Sequence, residues 1–209
     1  MIRSARDSFK SEELYWYLGI IAVASGLIFI NIKDLYGDPV YSGVQSIFTV
    51  SSIITTTGYV SVDYGAWPFF SRNLIVLLML IGASAGSTAG GFKVSRLVIL
   101  VKSSINQVRK VINPRRVIVN KMDGKKIDED LEESINKYLV IYILLFVLFM
   151  FIVSIEIEDF EASFASVATT FNNVGPGLRD FGPITSFAAL SDLSKITLTL
   201  AMLFGRLEI

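Results

Sequence analysis

The run Thr55-Thr56-Thr57-Gly58-Tyr59 places hydroxyls and backbone carbonyls beside a glycine that is free to take a positive φ. Such a φ turns successive carbonyls to one side of the chain, where they can replace the water shell of a monovalent cation. A second run, Asn173-Val174-Gly175-Pro176, offers the same chemistry. Thr56, Thr57, Gly58, Tyr59, Asn173, Val174, Gly175 and Pro176 are therefore the candidate ion-binding residues, with the carbonyls of Thr57, Gly58, Val174 and Gly175 as expected ligands. Little else in the chain could do chemistry. With no Cys and no His, it lacks disulfides, thiol nucleophiles, thiolate or imidazole metal sites and His-based acid–base catalysis. The reading is a non-enzymatic protein without a cofactor, its substrate a cation. Nineteen basic and nineteen acidic residues cancel, and a pI near 6.3 gives no basic surface for nucleic acid.

These two runs need elements that hold them in a membrane. The 209 residues are 52% hydrophobic and 18% charged, with a mean hydropathy of +0.57, too apolar for an ordinary soluble domain. Charged residues are missing between Glu13 and Lys33, Arg72 and Lys93, and Lys137 and Glu156. Each gap approaches the roughly 20 residues of a membrane-crossing helix. Tyr15, Trp16 and Tyr17 suit an interfacial anchor and not a cleaved leader. The stretches 39–62 and 162–178 are also uncharged but rich in Ser, Thr, Asn and Gly, as expected of short helices that enter the membrane and break before crossing. A helix over about 41–54 would aim the partial negative charge of its C-terminus inward, which attracts cations. Thr56-Thr57-Gly58-Tyr59 then differs at one position from the Thr-Val-Gly-Tyr core of channel filters.

The order span, re-entrant segment, span occurs twice. Residues 48–58 align without a gap on 165–175, and Met79-Leu80-Ile81-Gly82 on Met202-Leu203-Phe204-Gly205. Such repeats mark a pathway between the copies. Arg3, Arg6 and Lys10 precede the first span, and ten basic residues from Lys93 to Lys126 lie between the second and third, including Arg115 and Arg116. The positive-inside rule places the N-terminus and that basic segment in the cytoplasm, so both re-entrant segments enter from outside. The acidic run from Asp128 to Glu133 is read as capping the third span and not as a metal site.

The chain resembles the C-terminal half of a Trk/Ktr/HKT-type potassium-uptake transporter subunit. Four segments carry the likeness: Thr56–Tyr59, Ile81–Lys93, Phe171–Gly177 and Gly205–Ile209. The resemblance implies an all-α membrane protein of two membrane-pore-membrane repeats: the third over 1–112, a cytoplasmic linker over 113–134, and the fourth over 135–209. It further implies a multi-pass protein of the cell membrane, surrounded by lipid, that takes up potassium through a carbonyl-lined filter. Its expected partners are two further repeats closing the same pore, a second full-length subunit and a cytosolic nucleotide-binding regulatory subunit. The last span stops at Ile209 before a complete crossing, so the chain is expected to be a fragment. A broken-helix cation symporter is the alternative transporter reading; it would want ionisable residues inside the spans, where Arg206 is the candidate.

The stretch Gly82-Ala83-Ser84-Ala85-Gly86-Ser87-Thr88-Ala89-Gly90-Gly91 admits two readings. Gly82, Gly86 and Gly90 recur every four residues, the spacing of small residues in tightly packed membrane helices. Alternatively the helix breaks here into an intramembrane gating loop, as in the family, with Ser84, Ser87 and Thr88 satisfying freed backbone groups. A phosphate-binding loop is set aside because Phe92 stands where Lys is required. Arg206 either faces a partner, Glu208 or the loop, or snorkels from a helix end.

Overall fold

The computed structural model describes residues 11–113 and 120–207. Arg3, Arg6, Lys10, Arg115, Arg116, Glu208 and Ile209, which enter the expectations above, lie outside the described residues. Those that are described form the helices α1 (Glu12–Ile32), α2 (Pro39–Ile54), α3 (Phe69–Met79), α4 (Val94–Ile112), α5 (Glu129–Val153), α6 (Phe160–Phe171) and α7 (Asp192–Leu207). Two minimal strand pairs complete the regular structure. β1 (Ile81–Gly82) runs parallel to β2 (Phe92–Lys93), and β3 (Lys121–Met122) antiparallel to β4 (Lys125–Lys126).

Helix length follows from where the charges and the breakers fall. α1 and α5, of 21 and 25 residues, are long and apolar enough to cross a membrane. α2 and α6, of 16 and 12 residues, would extend only about 24 and 18 Å, short of a hydrocarbon core of about 30 Å. Both start on an aspartate: the Asp38 carboxylate accepts from Val40 N–H, and that of Asp159 from Glu161 N–H, each at 2.9 Å. Pro39 at the first turn of α2 is pre-set for helix.

The helices form two trios of the same plan. α1, α2 and α3 pack on one another, as do α5, α6 and α7; the trios meet where α3 touches α6, and α4 packs on both α1 and α5. Their cores differ in filling. The first is aliphatic, built on Ile28, Ile32, Val50, Ile53, Ile54, Ile75 and Met79; the second stacks Tyr142, Phe146 and Phe149 of α5 on Phe171 of α6, with ring centroids 4.9 to 6.3 Å apart.

The uncharged gap between Arg72 and Lys93 is not one helix. α3 stops at Met79, the chain runs extended through β1, loops over residues 83–91 and returns as β2 before α4 begins. Residues 83–91 are therefore not a helical packing surface. The equivalent stretch of the second trio stays helical through Gly205. The difference follows from composition: residues 82–91 hold four glycines, each destabilising a helix by about 1 kcal/mol, whereas 203–207 hold one.

α5 begins at Glu129, within the stretch assigned to the linker. Asp128 precedes it without a side-chain cap bond, so Glu129, Asp130 and Glu132 favour its N-terminus through charge alone. Glu132 also accepts from Ser103 of α4 at 3.2 Å and from Asn120 at 2.6 Å. The β3–β4 hairpin turns on Asp123-Gly124, both at positive φ as a two-residue turn requires. Asp123 accepts from Glu12 N–H at 2.7 Å, and the Glu12 carboxylate pairs with Lys102 of α4.

Candidate functional site

The two candidate filter segments follow α2 and α6, and up to the residue before each glycine they share one backbone hydrogen-bond scheme shifted by 117 residues (175 minus 58). Thr55 N–H bonds to Ser51 O and Asn172 N–H to Ala168 O; Thr56 N–H bonds to Ile53 O and Asn173 N–H to Thr170 O. Thr57 N–H reaches Ser52 O at 2.9 Å, as Val174 N–H reaches Thr169 O at 2.8 Å. The side chains repeat too. Thr55 Oγ1 donates to Ser51 O and Asn172 Nδ2 to Ala168 O, both at 2.7 Å. Ser52 Oγ donates to Tyr59 O at 2.7 Å, and Thr169 Oγ1 to Pro176 O at 3.0 Å.

Backbone conformation matches as well. φ is positive at Thr56 (53°) and Gly58 (71°), and at Asn173 (55°) and Gly175 (118°), with Thr57 and Val174 between them at negative values. A β-branched residue such as Thr56 in the left-handed region carries strain of about 1 to 3 kcal/mol, which persists only where its surroundings impose it. Among the described residues no hydrogen bond is made to the carbonyls of Thr57, Gly58, Val174 or Gly175. The carbonyls of Tyr59 and Pro176 are taken by Ser52 and Thr169, and Pro176 O accepts also from the buried Tyr64 hydroxyl at 3.2 Å. The segments adjoin: a Cβ on Gly58 would lie 2.0 Å from Val174 O. Tyr59 is 72% exposed, so this pair of segments presents one open side.

The loop over residues 83–91 packs against the turn that leads from α6 into the second segment. A Cβ on Gly82 would meet Gly90 O at 2.3 Å, and one on Gly90 would meet Asn172 O at 2.2 Å, so three backbones stack in contact. Asn172, fully buried, accepts from the Tyr142 hydroxyl of α5 at 2.8 Å. Inside the loop, Lys93 is 4% exposed and its ammonium donates to Ser87 O at 3.0 Å and to Ala89 O. From outside, the Arg206 guanidinium of α7 donates to Thr88 O, and the Glu13 carboxylate of α1 accepts from Ala85 N–H. Of the two partners considered for Arg206, the described one is the loop.

The family model described as TrkH, cation transport protein, matches residues 27–209. The chain belongs to the TrkH family of cation transport proteins. It is 34% identical over 194 residues to the Trk system potassium uptake protein TrkG of Escherichia coli K12, covering 92% of this chain and 39% of that protein. To TrkH of the same organism it is 33% identical over 212 residues, 97% of this chain and 43% of the relative. The crystal structure of the potassium transporter TrkH from Vibrio parahaemolyticus superposes with a TM-score of 0.88 at 30% identity, over 96% of this chain and 43% of that one. The chain thus spans about two fifths of the length of these relatives. Its family is one of transporters and not of enzymes.

Within this TrkH-family chain the structure brings Thr56–Tyr59 beside Asn173–Pro176, and sets residues 82–91 against Asn172 and Arg206. Sequence reasoning missed the groups that hold them: Ser52, Thr169, Tyr64, Tyr142 and Lys93. Ser52 and Thr169 were legible in principle, since both are hydroxyl residues six before an aligned glycine. Tyr64 and Tyr142 had no such signal, because their partners lie 112 and 30 residues away.

Proposed function

We propose that this chain forms part of the ion pathway of a potassium-uptake transporter. The observation that carries the proposal is the pair of in-register segments whose Thr57, Gly58, Val174 and Gly175 carbonyls accept no hydrogen bond from described residues, while the groups on either side are tied to the helices that precede them. An unpaired carbonyl in a membrane costs several kcal/mol unless something polar meets it, and a dehydrated potassium ion does so. The names of the relatives, potassium uptake proteins, point the same way.

On this reading residues 1–112 and 135–209 are two membrane-pore-membrane repeats joined by the segment 113–134. α2 and α6 are re-entrant helices, and their C-termini add partial negative charge beneath the ion. Further filter segments, supplied by the rest of the pore, close the open side. The N-terminus and the β3–β4 hairpin lie in the cytoplasm, where a nucleotide-binding partner reaches them, and two complete subunits pair in the cell membrane. Residues 82–91 form the barrier below the filter, held shut by Arg206 and Lys93.

The test is growth. The transporter as its gene encodes it, expressed in a bacterial strain lacking its own potassium uptake, should restore growth at low potassium, and Gly58→Ser should weaken its preference for potassium over sodium. Absence of potassium-dependent rescue at normal membrane levels would overturn the proposal.

A further inference from the structure

We infer that Ser52 and Thr169 are positioning residues for ion selection: each grips the backbone on both sides of its filter glycine and so fixes the direction of that glycine's carbonyl. The inference rests on the potassium-uptake reading above and names residues that the reading itself does not require.

In the first segment Ser52 accepts Gly58 N–H on its own carbonyl at 3.2 Å and donates its hydroxyl to Tyr59 O at 2.7 Å. In the second, Thr169 accepts Gly175 N–H on its hydroxyl oxygen at 3.0 Å and donates the hydroxyl proton to Pro176 O at 3.0 Å. Both arrangements clamp the N–H before the glycine Cα and the carbonyl one residue after it. The glycine carbonyl lies between the two fixed points and is left without a donor from the described residues. Glycine has the widest φ/ψ range of any residue, so a free glycine carbonyl would swing; clamped on both sides, it has one direction.

The two clamps reach the same result by different bonds, backbone plus hydroxyl in one and hydroxyl alone in the other. Thr169 uses its hydroxyl as donor and acceptor at once, which fixes its proton. Each clamp also marks where the row of ion-facing carbonyls ends, since Tyr59 O and Pro176 O are occupied by the protein.

The experiment measures potassium and sodium uptake in the transporter as its gene encodes it, with membrane amounts quantified, for Thr169→Val, Thr169→Ser, Ser52→Ala and Ser52→Thr. Thr169→Val keeps the shape and removes both side-chain bonds; it should lower the potassium-to-sodium ratio about tenfold, and Ser52→Ala should lower it by a smaller factor. Thr169→Ser and Ser52→Thr should stay within about twofold of wild type, because the hydroxyl remains. A residue that serves stability alone would change the amount of protein and leave the ratio untouched. If Thr169→Val does not reach the membrane, Ser52→Ala, which breaks one bond, carries the test. A wild-type ratio in Thr169→Val or, failing that, in Ser52→Ala, or a loss in Thr169→Ser as large as in Thr169→Val, overturns the inference. Failure of the wild type to transport potassium would instead overturn the function on which it rests.

Discussion

Gly58→Ala is the sharpest perturbation of the candidate filter, because its two penalties can be separated. The first is local: alanine at φ +71° sits in the left-handed region, at about 1 to 2 kcal/mol for an L-residue. The second is a collision. The new methyl would stand 2.0 Å from Val174 O and 3.2 Å from the Pro176 ring, whereas ordinary contact begins at 3.4 Å. Val174 O must therefore move by more than 1 Å, from 2.0 toward 3.4 Å. A carbonyl displaced by that much no longer meets an ion held by the other ligands, and misplacement of about 1 Å in a working site is typically worth up to 100-fold. The control is Gly175→Ala. It has φ +118° but nothing within 4 Å of the added carbon, so it carries backbone strain without the collision. Uptake of potassium and sodium, measured separately in cells with matched membrane levels, should show a larger loss of potassium preference for Gly58→Ala than for Gly175→Ala. Unchanged preference in Gly58→Ala, or the reverse order, would refute the reasoning that the two segments share one ion through abutting carbonyls.

Three further outcomes follow from the packing and the charges. Gly205→Ala would put a methyl 1.6 Å from Phe171 O, so it should destabilise the purified protein by about 2 to 3 kcal/mol, while Gly43→Ala, whose methyl meets Phe29 at 3.8 Å, should stabilise by about 0.5 to 1 kcal/mol; opposite shifts in thermal unfolding check this. Arg206→Ala removes the bond to Thr88 O and should raise cation flux without loss of selectivity, as should deleting part of 84–89; flux that falls or stays level in both would argue against a barrier. Glu156, beyond the end of α5, is held below its ordinary value of 4.5, first by the Ser191 hydroxyl, then by Ser194 and the Ser191 N–H, which together tie it to the start of α7. Its folded value is lowered, so the stability it contributes is complete above 4.5 and is lost as pH falls through the folded value; Glu156→Gln should lower thermal stability at neutral pH and flatten its decline below 4.5.

What the sequence settles is whatever one segment decides for itself. Uncharged runs of helix-spanning length define α1 and α5, and the hydroxyl-rich stretches 39–62 and 162–178 mark the short helices α2 and α6. The alignment of 48–58 on 165–175 is matched by one run of backbone bonds, over Thr55 to Thr57 and Asn172 to Val174, which parts only at the glycines, where Gly58 N–H takes Ser52 O and Gly175 N–H takes the Thr169 hydroxyl. Gly82 and Gly205 show the limit. They align, yet one lies in an extended strand and the other in a helix, because the outcome depends on the glycines that follow and on what Lys93 and Arg206 can reach. Only the tertiary structure puts Val174 O against Gly58, Gly90 against Asn172 and Tyr64 on Pro176. Each of these contacts joins residues 80 or more positions apart, and a chain's local preferences carry no record of which distant backbone will pack against it.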